Sequence, residues 1–228
     1  MQIEIETMKP MNIILKLTFV AFIALSVTQP VSAQVTQAEL ETIDGLEHLR
    51  STGELYSGKV VDTNRLSGTV EDGKRTGTWT WLYPSGQREY QTVYTEGLPV
   101  SSTGWYEDGT LEMAIQFKNG RIHGTRKNWG KDGDITRESK YSEGIPNGIH
   151  KIWDQNGHLL YSTTFVDGQI HGAATWWYSD GSPRWISSYA NGTRSGQWIQ
   201  YQVDGSVLVQ SVWENDKLVE RKDPHKNH

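Results

Sequence analysis

Gly124-Thr-Arg-Lys-Asn-Trp129-Gly-Lys-Asp132-Gly133-Asp-Ile135-Thr-Arg-Glu-Ser-Lys-Tyr141-Ser-Glu-Gly144-Ile-Pro-Asn147 is one full period of this chain, 24 residues long. Residues 125–129 suit a short strand, Lys131-Asp132-Gly133 a tight turn, residues 135–141 a second strand, and residues 142–148 a wider glycine-bearing loop. The unit recurs in both directions. Turn glycines stand at Gly86, Gly109, Gly133, Gly157, Gly181 and Gly205, and an aromatic follows each at Tyr94, Phe117, Tyr141, Phe165, Tyr189 and Trp213. Loop glycines come next, at Gly97, Gly120, Gly144, Gly168 and Gly192, until Asp216 ends the series. A period of this length marks a repeat array in which each unit stacks on its neighbours.

Within each unit the second strand alternates. Leu111, Met113, Ile115 and Phe117 share one face, as do Leu159, Tyr161, Thr163 and Phe165, with polar residues between them. That alternation marks a half-buried antiparallel strand. Four residues before each turn glycine runs a second ladder, Leu82, Trp105, Trp129, Trp153, Trp177 and Tyr201, expected to stack as a continuous aromatic seam. The predicted fold is all-β: a single-layer antiparallel meander or solenoid of hairpins, on the order of 55 Å long at about 4.8 Å per strand.

The flanks divide as follows. Residues 1–33 carry Lys9 and Lys16, an apolar run over 17–27, Pro30, and Val31-Ser32-Ala33 before Gln34, the pattern of a cleaved signal peptide. A start at Met8 or Met11 suits that pattern better than Met1. Residues 34–52 are an N-terminal leader or cap, in which 34–43 are expected as a short leader helix or disordered and Asp44-Gly45 is a candidate early hairpin. The array of about six units covers 53–216, and 217–228 is expected to be a disordered tail. Cysteine is absent from the sequence, which excludes disulfides, a thiol nucleophile and a lipidated cysteine. An exported, soluble, periplasmic or secreted bacterial protein is the expectation.

The acidic and basic residues number 27 and 22, a net charge of -5, without the basic stripe a nucleic-acid surface needs. The same acidity disfavours anionic lipid as the ligand. Asp108, Asp132, Asp180 and Asp204 each precede a turn glycine, so turn chemistry accounts for them better than catalysis. His123 and His171 share one phase two periods apart, too distant for a common metal; His225 and His228 are weak candidates at the end of the chain. No catalytic, cofactor-binding or metal residues are assigned, and no cofactor is expected. The aromatics outside the seam, Trp79, Trp81, Trp176, Trp185 and Trp198, form the candidate binding surface.

Gly73-Lys-Arg-Thr-Gly77-Thr-Trp79-Thr-Trp81, Asn119-Gly120-Arg-Ile-His-Gly124 and Asp167-Gly168-Gln-Ile-His-Gly172 resemble MORN repeats of the longer bacterial variant. Tyr56-Ser-Gly-Lys-Val-Val61 resembles the start of exported bacterial MORN-variant proteins of the YwqK-like antitoxin type. The resemblance covers residues 53–216 and implies a β-hairpin interaction scaffold, not an enzyme. Ser101 departs from it, standing where a glycine is expected beside a one-residue deletion. The expected function is non-catalytic protein binding in the cell envelope. The alternative is a carbohydrate or cell-wall module using its exposed tryptophans.

Because each unit contacts only its neighbours, excision of residues 148–171, one whole period, is expected to leave a folded β-protein with a single cooperative melt. Circular dichroism and sedimentation velocity check it; an aggregated product would contradict the repeat assignment.

Overall fold

The computed structural model describes residues 34–62 and 65–224. The expected signal segment 1–33, and His225 and His228, lie outside the described residues. An 18-stranded sheet carries the array, with a separate two-stranded sheet at the N-terminal end. From Gly58–Asp62 onward successive strands pair antiparallel, through Lys74–Leu82, Arg88–Thr95, Ile145–Trp153, Leu159–Val166, Gln169–Trp177 and Pro183–Ala190 to Lys217–Lys222, while the short Arg121–Ile122 and Thr193–Arg194 each share a partner with the strand that follows. The expected all-β meander is thus observed.

The two turn types exchange roles relative to the sequence reading. The expected wide loop is a two-residue hairpin turn: Val166 pairs with Gln169, leaving only Asp167 and Gly168 between the strands. Both have positive φ, 48° and 82°, which matches the right-handed twist of a hairpin. The expected tight turn is longer. Between Trp129 and Ile135, Gly130 donates to the Asp134 carbonyl and Gly133 to that of Gly130, with only Gly133 left-handed. Aspartate there serves through its side chain, Asp132 Oδ1 accepting from the Asp134 N–H. An aspartate that caps its own turn needs no positive φ; both kinds of turn contain an acidic or amide residue before glycine, so composition does not separate them.

Glycines four residues past the loop glycine, expected within the wide loop, belong to strands. Gly172 sits in a bulge where the strand Gln169–Trp177 carries two residues more than its partner between Phe165–Ile170 and Thr163–Ala174. In the unit containing Ser101 the surplus is one, between Tyr94–Pro99 and Val93–Ser101. The one-residue deletion therefore falls inside the bulge.

One row of side chains across one face holds the sheet together. Cross-strand partners link Trp79, Thr92, Ser102 and Ile115, then Ser139, His150, Thr163, Ala174 and Ser187, and finally Trp198 and Ser211. Apart from His150 and Trp198, which are half-buried, none is more than 9% exposed. The buried hydroxyls find partners within the sheet: Thr92 and Ser102 bond at 2.9 Å, and Ser187 donates to the Ala174 carbonyl at 3.2 Å. Larger rings close over the row from the sides. The His150 ring lies 5.7 Å from that of Tyr141 and 4.6 Å from that of Phe165.

The apolar core is concentrated at the N-terminal end. Val35, Leu40, Tyr56, Val60, Leu66, Val70 and Trp79 pack together, and a Cβ at Gly68 would intrude on the Trp79 ring. Residues 34–52 form a cap of β type, and 34–43 are neither the expected leader helix nor disordered. Gln34–Val35 pairs parallel with Lys59 and Val60, a single 3-10 turn covers Gln37–Glu39, and Leu40–Ile43 and Leu46–Leu49 form the hairpin over Asp44-Gly45. Glu47, 3% exposed, accepts two 2.8 Å contacts from Arg75, whose guanidinium lies 4.2 Å over Trp79. Residues 217–222, expected as part of a disordered tail, form an exposed edge strand paired with Val207–Glu214. The Asn215-Asp216 pair, with φ of 48° and 64°, replaces Asp-Gly as the turn between them.

Two outcomes follow from this geometry. Gly168→Val should cost about 2 kcal/mol, because the new Cβ is both left-handed and 3.2 Å from Ile145 Cγ2. Asp167→Asn, which keeps left-handed tolerance, should cost a few tenths at most; equal melting temperatures would refute the turn assignment. The second concerns His150, whose Nδ1 is buried without a hydrogen-bond partner. Burial first, and then the Arg137 charge, hold its imidazole below the ordinary histidine value. The unfolded chain therefore takes up the proton first, so the stability present above about pH 6.5 declines as pH falls from there. His150→Phe should reduce the loss in melting temperature between about pH 7.5 and 5.5; parallel curves for the two proteins would rule this out.

Candidate functional site

The five tryptophans outside the seam separate into three situations. Trp79 is wholly buried, its Nε1 donating to the Thr69 carbonyl at 3.1 Å, so it belongs to the core and not to a binding surface. It was expected outside because its phase lies off the seam; the cap that covers it is not periodic. Trp81 is half-buried 5.7 Å from Tyr90 and lines a cleft of about 410 Å³ with Glu89 and Pro99. Trp176, Trp185 and Trp198 come together toward the other end of the array.

Strand register assembles that C-terminal group. Trp176 and Trp177 are adjacent, so the pleat sends their side chains to opposite faces. Trp176 pairs directly with Trp185, and Trp185 with Gln200. The Trp176 ring lies 4.5 Å from Tyr161 at 41°, and the Trp185 ring meets Trp198 edge-on at 6.1 Å and 87°. Together with Arg184 and Gln200 these tryptophans line a cleft of about 360 Å³. Trp176 is 37% exposed, high for a residue of its size.

The hydrogen-bonding character of this cleft is one-sided. Trp198 Nε1 donates to the Ser188 carbonyl at 3.0 Å, whereas the indole N–H groups of Trp176 and Trp185 have no acceptor among the described residues. The Arg184 guanidinium lies 5.7 Å over the Tyr178 ring and has no carboxylate partner among them. No aspartate or glutamate lines the cleft. Burial raises the Tyr161 phenol, which stays protonated at neutral pH.

The seam residues Trp105, Trp129, Trp153 and Trp177 do not stack on one another: among the described residues no ring contact joins consecutive seam positions. Each meets the start of the next strand instead, as Trp105 meets Leu111, Trp153 meets Leu159 and Trp177 meets Pro183. Successive seam positions are two strands apart, about 10 Å, beyond ring contact. What links repeats on that edge is the residue after the seam. The hydroxyls of Tyr83, Tyr106 and Tyr178 donate to the carbonyls of Trp105, Trp129 and Tyr201 one repeat on, at 2.8, 2.9 and 2.9 Å. The recurrence of tyrosine three residues before a turn glycine was visible in the sequence and was missed. So was the small hydroxyl column six residues after it, Thr92, Ser139, Thr163, Ser187 and Ser211.

The polar residues considered for chemistry are engaged in the turns. Asp108 and Asp180 are held below the usual carboxylate range by hydrogen bonds from Thr110 and Ser182 respectively. His171 Nδ1 lies 3.1 Å from Asn191 Oδ1, and His123 Nδ1 accepts from the Glu143 N–H at 3.4 Å, each tying its turn to the following one. Asn147, at the same phase, donates to Asp167 at 3.1 Å.

Two stretches of this array, residues 75–96 and 146–167, match the family model described as MORN repeat variant. None of the curated proteins matches the chain. Among solved structures it is similar to a chain from "Crystal structure of GtfA/B complex bound to UDP and GlcNAc" at 9% identity and a TM-score of 0.22. That likeness covers 58% of this chain and spans about a quarter, 24%, of the other. The first matched stretch spans the strands Lys74–Leu82 and Arg88–Thr95, and the second spans Ile145–Trp153 and Leu159–Val166.

Proposed function

We propose that this chain is an exported, non-catalytic repeat scaffold that binds a protein partner in the bacterial cell envelope through the cleft of Trp176, Trp185 and Trp198. One observation carries the reading. Three tryptophans from three strands converge on an open cleft, while Asp132, His123 and His171, among the residues considered for chemistry, are engaged in holding turns. Aromatic anchors in a partly desolvated recess supply most of the affinity in protein interfaces, and a regular sheet holds them in place at little entropic cost. The signal-like pattern of residues 1–33 supports a periplasmic or secreted location. A net charge of -5 supports neither nucleic acid nor anionic lipid as the ligand.

A second reading, a glycan or cell-wall polymer, is favoured by one feature: the Trp176 ring, 37% exposed and backed by Tyr161, offers a flat platform to a sugar face.

Photo-reactive residues at positions 176 and 185, activated in living cells, distinguish the two. One dominant protein adduct, lost on Trp198→Ala, is the expected result. Absence of any protein adduct, together with co-sedimentation of the purified chain with cell-wall material, would replace the protein reading by the glycan one.

A further inference from the structure

The C-terminal cleft has a more specific preference. We infer that it takes a proline-rich segment in polyproline II conformation, flanked by an acidic residue; this rests on the protein-partner reading above and names the chemistry of that partner.

The first argument is hydrogen-bond complementarity. The cleft offers donors: the unengaged indole N–H groups of Trp176 and Trp185, the Arg184 guanidinium and the Gln200 amide. Its only side-chain acceptor of note is the Gln200 carbonyl, since no carboxylate lines it. A ligand that fits such a surface is rich in acceptors and poor in donors. A proline-rich chain is that ligand, because every residue presents a carbonyl and proline has no N–H. A sugar presents hydroxyls that donate as well as accept, and this cleft would leave most of those donors without a partner.

The second argument is spacing. The ring pairs Tyr161–Trp176 and Trp185–Trp198 are borne on four successive strands, so their centres are separated by two strand spacings, about 10 Å. Polyproline II repeats every three residues at about 9 Å. A segment crossing the strands would set prolyl rings one turn apart against the two pairs, with its carbonyls over the indole N–H groups between them. The third argument is charge: Arg184 is the one charged residue lining the cleft, so an acidic residue beside the prolines has a partner.

Tryptophan fluorescence titration of the purified chain tests this with four probes: a decaproline peptide ending in glutamate, plain decaproline, the alanine-substituted counterpart of the first, and a soluble peptidoglycan fragment. The proline peptide is expected to saturate and the alanine peptide to bind at least about ten-fold more weakly. Trp176→Ala should weaken the proline peptide by about ten-fold or more, while Trp81→Ala, in the other cleft, leaves it unchanged. Arg184→Gln should weaken the glutamate-bearing peptide but not plain decaproline, a contrast that loss of folding would not produce. Equal binding of the proline and alanine peptides, or saturation by the peptidoglycan fragment alone, overturns the inference. If a protein adduct at position 176 maps to a segment without proline, this inference fails while the protein reading stands. If no protein adduct forms and wall material binds, both fail.

Discussion

A sheet one layer thick must find cover for its apolar side chains within its own thickness. Most of the structure depends on how this chain does so. The centre of each second strand carries a buried serine or threonine, with Ile115 the exception, and larger rings such as Tyr141 and Phe165 pack against the same row. The hydroxyl is tolerated there because a neighbouring strand supplies its partner, as Ala174 does for Ser187. Near the cap the arrangement inverts: Trp79 fills the centre because Gly68 beside it has no side chain. Where the centre becomes Trp198, rings from Trp185, Tyr189 and Trp213 gather around it, and Trp176 is left exposed. The candidate site is therefore a local variation in the packing that stabilises the sheet.

Both edges of the ribbon are stitched from repeat to repeat. On the two-residue-turn edge, the N–H groups of Gly144, Gly168 and Gly192 donate to the carbonyls of Ile122, Pro146 and Ile170 in the preceding unit. On the opposite edge the tyrosine hydroxyls do the same where tyrosine is present. Each such bond contributes about 1 kcal/mol, and together they make each unit depend on its neighbours and on nothing more distant.

Much of this was legible in the sequence. The 24-residue period and the alternation of residues 159–165 were enough for an antiparallel meander, because periodicity reports backbone geometry directly. The turns were misassigned because Asp132-Gly133 and Asp167-Gly168 are alike in composition, although the loops that hold them differ in length and in the φ of the aspartate. Trp79 was misplaced because its burial comes from Val35, Leu40 and Tyr56 together with Val60, Leu66 and Val70, none of which belongs to the regular 24-residue period. Strand 217–222 was missed because its alternation is masked by charge: an edge strand with one free side can be wholly exposed and still be paired. At the site, convergence of Trp176, Trp185 and Trp198 needed cross-strand register, which no one-dimensional pattern supplies.

The bulge in each unit has a consequence for how such a chain can change length. In an uninterrupted strand, loss of one residue turns every later side chain to the wrong face. Here the missing residue before Ser101 is taken from the bulge, and Thr103, Gly104 and Trp105 resume pairing with Ala114, Met113 and Leu111. Each repeat therefore carries its own slack, and insertions or deletions confined to it are absorbed without inverting the sheet. A long array can accumulate such changes independently in every unit and still keep one aromatic face.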